Sequence, residues 1–226
     1  FLSSQILFMR STIIAILFLV VVSLGSCRDA KRYHDTSEVP VQWTSDALKD
    51  IDEFRKKLNA DFRNPETSPL PDRYRKDFSG LEFFEPDTNF RVWARLEYTP
   101  EAMPFMMPTN TDRQSEELVF AIAHFELQGR PFSLEIYQTQ DLLNDPLYED
   151  YLFLPFLDDT NGEETYSGGR YIDLRIPEGD SLIIDFNKAY NPYCVYNKSY
   201  SCPLVPKVNT LDLPIRAGVK DFKAKK

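Results

Sequence analysis

The sequence predicts a mainly β fold: an antiparallel barrel or sandwich of about six to eight strands, with one N-terminal amphipathic helix. Three observations carry this. Apolar residues alternate with polar ones at period two in several segments between Asn89 and Asn187, which is the pattern of half-buried strands. Short turn signals separate those segments. Helical spacing of three to four recurs in one stretch only, before the strands begin.

That stretch is Asp46 to Phe62, where Ala47, Ile51, Phe54, Leu58 and Phe62 make an apolar stripe and Lys and Asp fill the other face. Ser45 is a plausible N-cap and Asn64-Pro65 a stop. The stripe is expected to pack on the domain, because tertiary contacts supply most helix stability. In Asn89–Tyr98, Phe90, Val92, Ala94, Leu96 and Tyr98 share one face. Leu118–Leu127 is apolar on both faces, and Gln128-Gly129-Arg130 turns the chain into the alternating Pro131–Thr139. Tyr151–Phe156 is a short strand. Tyr171–Asn187 reads as a hairpin in which Ile176, Leu174 and Ile172 face Leu182, Ile184 and Phe186. That register sets Asp173 opposite Asp185, a like-charge pair that needs neutralising by Arg170, Arg175, a cation or a shared proton.

At 226 residues, 42% of them hydrophobic, the chain fits one domain with a real core plus a leader. Its net charge of −9 repels nucleic acid, so no nucleic-acid partner is expected. Met9-Arg10, the apolar run Ile13–Val22 and Ser23-Leu24-Gly25-Ser26-Cys27 have the order of a secretory signal. The run is too short to span a bilayer. Leu24-Gly25-Ser26-Cys27 resembles a lipobox, which places the signal peptide at residues 1–26 and lipidation on Cys27. Residues 1–8 read as lying upstream of the true start. The polar segment 27–42, which holds His34, is a tether. A single β-rich domain follows over residues 43–222, and 223–226 is a basic tail. The expected location is the cell envelope, membrane-anchored, facing the periplasm or the exterior.

The chemistry is concentrated in Asp158–Asn209. Cys194 and Cys202 read as a disulfide in an oxidising compartment; zinc favours closer pairs and four ligands. His124, on an apolar strand, reads as a packed strand residue. No Gly-x-Ser-x-Gly elbow, zincin signature, P-loop or Gly-x-Gly-x-x-Gly is present, and neither a cofactor nor a metal is expected. Gly168-Gly169 reads as a turn. Asn187, Tyr190, Asn191, Tyr193, Tyr196 and Asn197 alternate amphipathic rings with amides, a combination that lines ligand grooves or fixes a long ordered loop.

Ser68-Pro69-Leu70, Phe78-Ser79-Gly80-Leu81, Thr165-Tyr166-Ser167-Gly168-Gly169-Arg170-Tyr171, Asp185-Phe186-Asn187 with Ala189-Tyr190-Asn191-Pro192, Cys202-Pro203 and Ala217-Gly218 together resemble a family catalogued as domain of unknown function 1684. The resemblance covers roughly Ile51 to Phe222. It implies a β-rich domain, often exported or lipidated, that carries a cysteine pair where Cys194 and Cys202 stand; it implies no activity or cofactor. The expected function is a non-catalytic binding or scaffolding module for an envelope glycan or peptide. Its contact residues are Asp158, Thr160, Tyr166, Arg170, Tyr171, Asp185, Asn187, Tyr190 and Asn191. The alternatives are a hydrolase using Asp158, Asp173 and Asp185, since carboxylate pairs suffice for glycoside chemistry, and a purely structural envelope protein.

Overall fold

A computed structural model describes residues 45–223. The leader, Cys27, the tether with His34, and residues 224–226 lie outside the described residues.

Helix α1 (Ser45–Arg63) forms over the predicted stripe. Ala47, Ile51 and Phe62 are buried, while Phe54 and Leu58 are half-buried. The opposite face stays in water and carries the i,i+4 pairs Lys49–Glu53, Lys56–Asp52 and Lys57–Asp61. The helix stops before Pro65, and the Ser68 hydroxyl donates to the Phe62 carbonyl at 2.6 Å, satisfying one of the acceptors a helix end leaves open. A one-turn helix α2 (Asp72–Arg75) follows.

Eight strands form one curled half-barrel sheet: β1 (Arg91–Tyr98), β2 (Phe105–Pro108), β3 (Gln114–Leu127), β4 (Arg130–Thr139), β5 (Tyr151–Asp158), β6 (Arg170–Arg175), β7 (Ser181–Asp185) and β8 (Thr210–Leu211). The order is β6-β5-β4-β3-β1-β7, with β2 continuing the β1 edge of β3 and β8 running parallel to β5. The β3–β4 hairpin closes on two residues, Gln128 at φ 52° and Gly129 at φ 73°. Positive φ at both positions is the type I′ geometry that matches strand twist, and glycine adopts it without strain.

The predicted β6–β7 hairpin is corrected by the structure. The two strands are consecutive and both present their apolar residues inward, but they are the two ends of the sheet: β6 pairs only with β5, and β7 pairs with β1. Leu182 and Ile184 therefore stand opposite Ala94 and Val92, and Asp185 stands opposite Arg91 rather than Asp173. Ile172, Leu174, Leu182, Ile184 and Phe186 are buried as the predicted register requires, whereas Ile176, past the end of β6, is exposed. The partner differs because β1 offers a matching apolar face together with a cation for Asp185, which removes the like-charge opposition.

The concave interior holds Val92, Ala94, Phe125, Leu134, Ile136, Leu154, Phe156, Ile172, Ile184 and Phe186, and it is completed by Leu211, Leu213, Ile215 and Ala217 from the C-terminal segment. Inside this core lies Arg170, fully buried with Asp158 at 2.9 Å. Its guanidinium also donates to the carbonyls of Ile215 at 2.8 Å, Val219 at 3.3 Å and Ala217, and stacks over Phe156 at 5.2 Å. A buried ion is tolerated only when its hydrogen bonds are supplied, so this one side chain fixes where the C-terminal segment runs.

Outside the sheet, a second cluster joins Met107, Tyr137, Phe153 and Tyr171 with Tyr151, Tyr190 and Val205. A third packs Phe62 and Leu70 on Tyr196, with the Phe62 and Tyr196 rings edge-to-face at 4.7 Å. Arg170→Met is expected to cost roughly 3–5 kcal/mol, because it leaves the buried Asp158 without its cation. Gly218, at φ +79° with a Cβ site 2.7 Å from the carbonyl oxygens of Phe186 and Ala189, should tolerate no side chain, and Gly218→Ala should lose about 1 to 3 kcal/mol. Urea unfolding measures both; a loss below 1 kcal/mol for Arg170→Met would remove its organising role.

Candidate functional site

The predicted contact residues divide into three places. Asp158, Thr160 and Arg170 are interior. The Asp158 carboxylate accepts from the Thr160 hydroxyl at 2.6 Å, the Thr160 amide at 2.9 Å and the Ile215 amide at 3.1 Å, besides its bond from Arg170. Thr160 and Thr165 are bonded through their hydroxyls at 2.8 Å, and the Asn161 amide group donates to the Thr165 hydroxyl at 2.9 Å. The result is a rigid turn that displays Glu163 and Glu164 at its tip. Tyr166 is half-buried beside it.

Tyr171 and Tyr190 pair with each other at one end of the seam between β6 and β7, and Asp185 and Asn187 pair with each other at the end of β7. The Tyr171 hydroxyl donates to the Pro203 carbonyl, and Tyr171 exchanges two backbone bonds with Tyr190, at 2.9 and 3.0 Å. Asn187 is buried. Its side chain donates to Asp185 at 2.9 Å and to the Asp87 carbonyl at 2.8 Å, and accepts from the Asp87 amide at 2.9 Å. Asn191 lies apart from these and donates to the Lys220 carbonyl at 3.0 Å.

Two recesses adjoin these groups. The seam holds a groove of about 200 Å³ lined by Asp173, Arg175, Asp185, Arg91, Asp50 and Lys188 with Ile172, Leu174 and Ile183. Asp173 and Asp185 thus share one recess although they are not ladder partners. Arg91 sits 3.3 Å from both Asp50 and Asp185, Lys188 lies 2.7 Å from Asp50, and Arg175 turns away to Asp150 at 2.5 Å. Burial pushes the Asp50 carboxyl upward, but its bonds from Lys188 and Arg91 outweigh that and hold it below the usual carboxylate range. The second recess is a hollow of about 580 Å³ between α2, the segment 77–82, the Glu163-Glu164 tip and the C-terminal segment. Tyr74, Phe78 and Phe222 supply rings to it; Asp77, Glu82, Glu163, Glu164 and Asp221 supply carboxylates; Arg73, Lys220 and Lys223 supply cations.

Sequence reasoning missed Asp50, Arg91 and Lys188 at the seam and Tyr74, Phe222 and Lys220 at the hollow, since no local period marks residues that three distant segments bring together. One signal was present for the hollow: Phe78-Ser79-Gly80-Leu81, among the residues that carry the resemblance, forms part of its wall.

The disulfide expected between Cys194 and Cys202 is not formed; both are free thiols. The Cys202 sulfur instead accepts the Cys194 amide at 3.2 Å. Hydrogen bonding from the Cys194 thiol lowers the Cys202 pKa to about 7, and the same bond raises that of Cys194. A hydrogen bond within the pair takes the place of the covalent link. His124 is a half-buried strand residue whose Nε2 lies 3.0 Å from Glu97.

A mainly β half-barrel, plugged by its own C-terminal segment and recessed at two places, is the class these observations define. The chain belongs to the family described as protein of unknown function (DUF1684), which it matches over residues 76–220. It is also similar to an uncharacterized protein of Haloarcula marismortui solved by solution NMR, with 32% identity over 78% of this chain and 95% of that one and a TM-score of 0.61. No curated protein matches the sequence.

One carboxyl beside the outer cluster is set up to titrate. Glu117 is fully buried and accepts hydroxyl bonds from Ser115 at 2.7 Å and from Thr139 at 2.9 Å. Burial raises its pKa above the ordinary 4.5, against the pull of those two hydroxyls. The folded protein therefore holds this proton where the unfolded chain has released it. The stabilisation is complete below the unfolded pKa and is lost as pH rises through the folded one. Glu117→Gln should remove that slope, so its stability relative to the parent should increase with pH above 4.5 in urea titrations. Parallel curves would refute this.

Proposed function

We propose that the chain is a membrane-anchored lipoprotein of the cell envelope whose β domain is a non-catalytic binding module for a polar envelope ligand, a glycan or a peptide. The hollow of about 580 Å³ carries this reading. It has the size of a small-molecule site, and it combines ring surfaces, on which sugar or side-chain faces stack, with carboxylates that accept bonds from hydroxyl and amide groups. The turn that presents Glu163 and Glu164 is fixed by Asp158, Thr160 and Thr165, so little ordering is required on binding. The Glu164 carboxylate is oriented by Arg216 at 2.8 Å. Three of the expected contact residues, Asp158, Thr160 and Arg170, serve this site by shaping the loop and wall rather than by touching ligand; Asn191 holds the wall at Lys220.

The lipoprotein part of the proposal rests on Leu24-Gly25-Ser26-Cys27 following a basic start and an apolar run. No helix among the described residues is long and apolar enough to cross a membrane. Two acyl chains on Cys27 would hold the protein firmly, at about 0.8 kcal/mol per buried CH₂. Cys27→Ser should therefore move the protein from the membrane to the soluble fraction, and unchanged fractionation would end the lipoprotein reading.

Binding is tested by thermal shift of the domain with envelope glycan fragments and peptides. A ligand at a hundred times its Kd stabilises the fold by about 2.7 kcal/mol, a rise of several degrees. Phe222→Ala and Glu164→Gln should each reduce that rise, whereas absence of any shift across the panel would overturn the binding reading.

A further inference from the structure

Asp173 stands apart from the other charged groups of the seam. Asp50 and Asp185 share Arg91, and Asp50 also takes Lys188. Arg175 is held by Asp150 at 2.5 Å and by the Leu147 carbonyl at 3.1 Å. The cations of the groove are thus engaged by other acids, and no ion pair to Asp173 is present among the described residues.

The carboxylate is nevertheless built into place. The hydroxyls of Tyr151 and Tyr190 both donate to its Oδ1, at 2.9 and 2.5 Å. Burial and the neighbouring charge of Asp173 raise the pKa of both phenols, so they remain donors. With Oδ1 doubly bonded, Oδ2 is left for a visitor.

The backbone adds to the same spot. Tyr171 gives its backbone bonds to Tyr190, across the seam, and stands opposite Pro155 of β5, which has no N–H to offer it. Alternation along an antiparallel edge then turns the N–H and C=O of Asp173 toward the seam as well. Asp173 thus lines a groove of about 200 Å³, too small for most whole ligands, with a carboxylate on its side chain and, by that alternation, a carbonyl on the same edge.

Of the groups that seek two acceptors in a small space, a divalent metal needs more oxygen ligands than this. No gathering of three or more His, Cys, Asp or Glu among the described residues could hold one. A primary ammonium on a narrow alkyl stem needs only a charge, a second acceptor and an apolar wall, which Ile183 and Leu174 provide.

We propose that the seam between β6 and β7 is a second binding site, which takes a primary ammonium group on an alkyl stem, with Asp173 as its counter-charge. It does not depend on the reading of the hollow, which lies on other segments. The probe is Nα-acetyl-lysine amide, with Nα-acetyl-norleucine amide as its uncharged counterpart, titrated into the domain and read in amide NMR spectra. The amine should perturb the resonances of Asp173, Arg175 and Ile183, with an affinity that falls as salt rises, and the uncharged compound should leave them in place.

Asp173→Asn, nearly isosteric and on an exposed position, should weaken the amine about fivefold, the upper scale of an exposed ion pair. Equal response to the two compounds, perturbations confined to the hollow, no perturbation at all, or full affinity in a folded Asp173→Asn protein would each overturn the proposal. Because the uncharged control is run on the unaltered chain, the result stands even if the variant fails to fold.

Discussion

The guanidinium of Arg170 is the constraint on which the rest depends. A cation sealed from water needs acceptors for its donors, and here Nη1 and Nη2 meet Asp158 and three carbonyls of the C-terminal segment, while Nε is left without a partner among the described residues. Satisfying Arg170 therefore draws residues 215–219 across the open side of the half-barrel. Leu213, Ile215 and Ala217 then fill an interior that the strands alone leave incomplete. The same run continues into Lys220–Lys223 as a wall of the larger hollow. One polar demand inside the core thus decides both where the apolar residues go and where a surface recess opens.

The seam between β6 and β7 has a different origin. A sheet that curls without closing leaves two edges, and edges expose unpaired backbone that invites association with other chains. Here the edges face each other, one end is closed by the Tyr171–Tyr190 bridge, and charged side chains line the gap. Charge at an edge is a common protection against strand addition, and it also makes the gap polar enough to interest a small ligand.

Period-two patterning located β1 most clearly, because Val92, Ala94 and Leu96 are buried while the residues between them are exposed; β5, buried on both faces, was legible only as a short apolar run, and the short β2 and β8 carried no pattern to read. The helix was equally legible, since its stripe and its stop are local. Partner choice was not, because alternation states which face is inward and not which neighbour shares it; β7 satisfied its pattern equally well against β1 as against β6. Glu117 looked like one of many surface acids, and only its burial by β2 and β4 distinguishes it. The cysteine pair and the Gly-Gly-Arg-Tyr run marked where polar interest lay, and alternation puts Arg170 on the same face as Ile172 and Leu174. No local pattern marked the acceptors it meets there, because Asp158 and the carbonyls of residues 215–219 come from distant segments.

The completion of the interior by Leu211 to Ala217 bears on how the polypeptide is made. Emerging from the ribosome in N-to-C order, strands β1 to β7 can pair before residues 211–217 appear, and their shared cavity stays open until that segment is released. Cooperative closure therefore waits on a segment made after the sheet, and until it arrives the apolar faces of the strands stay exposed.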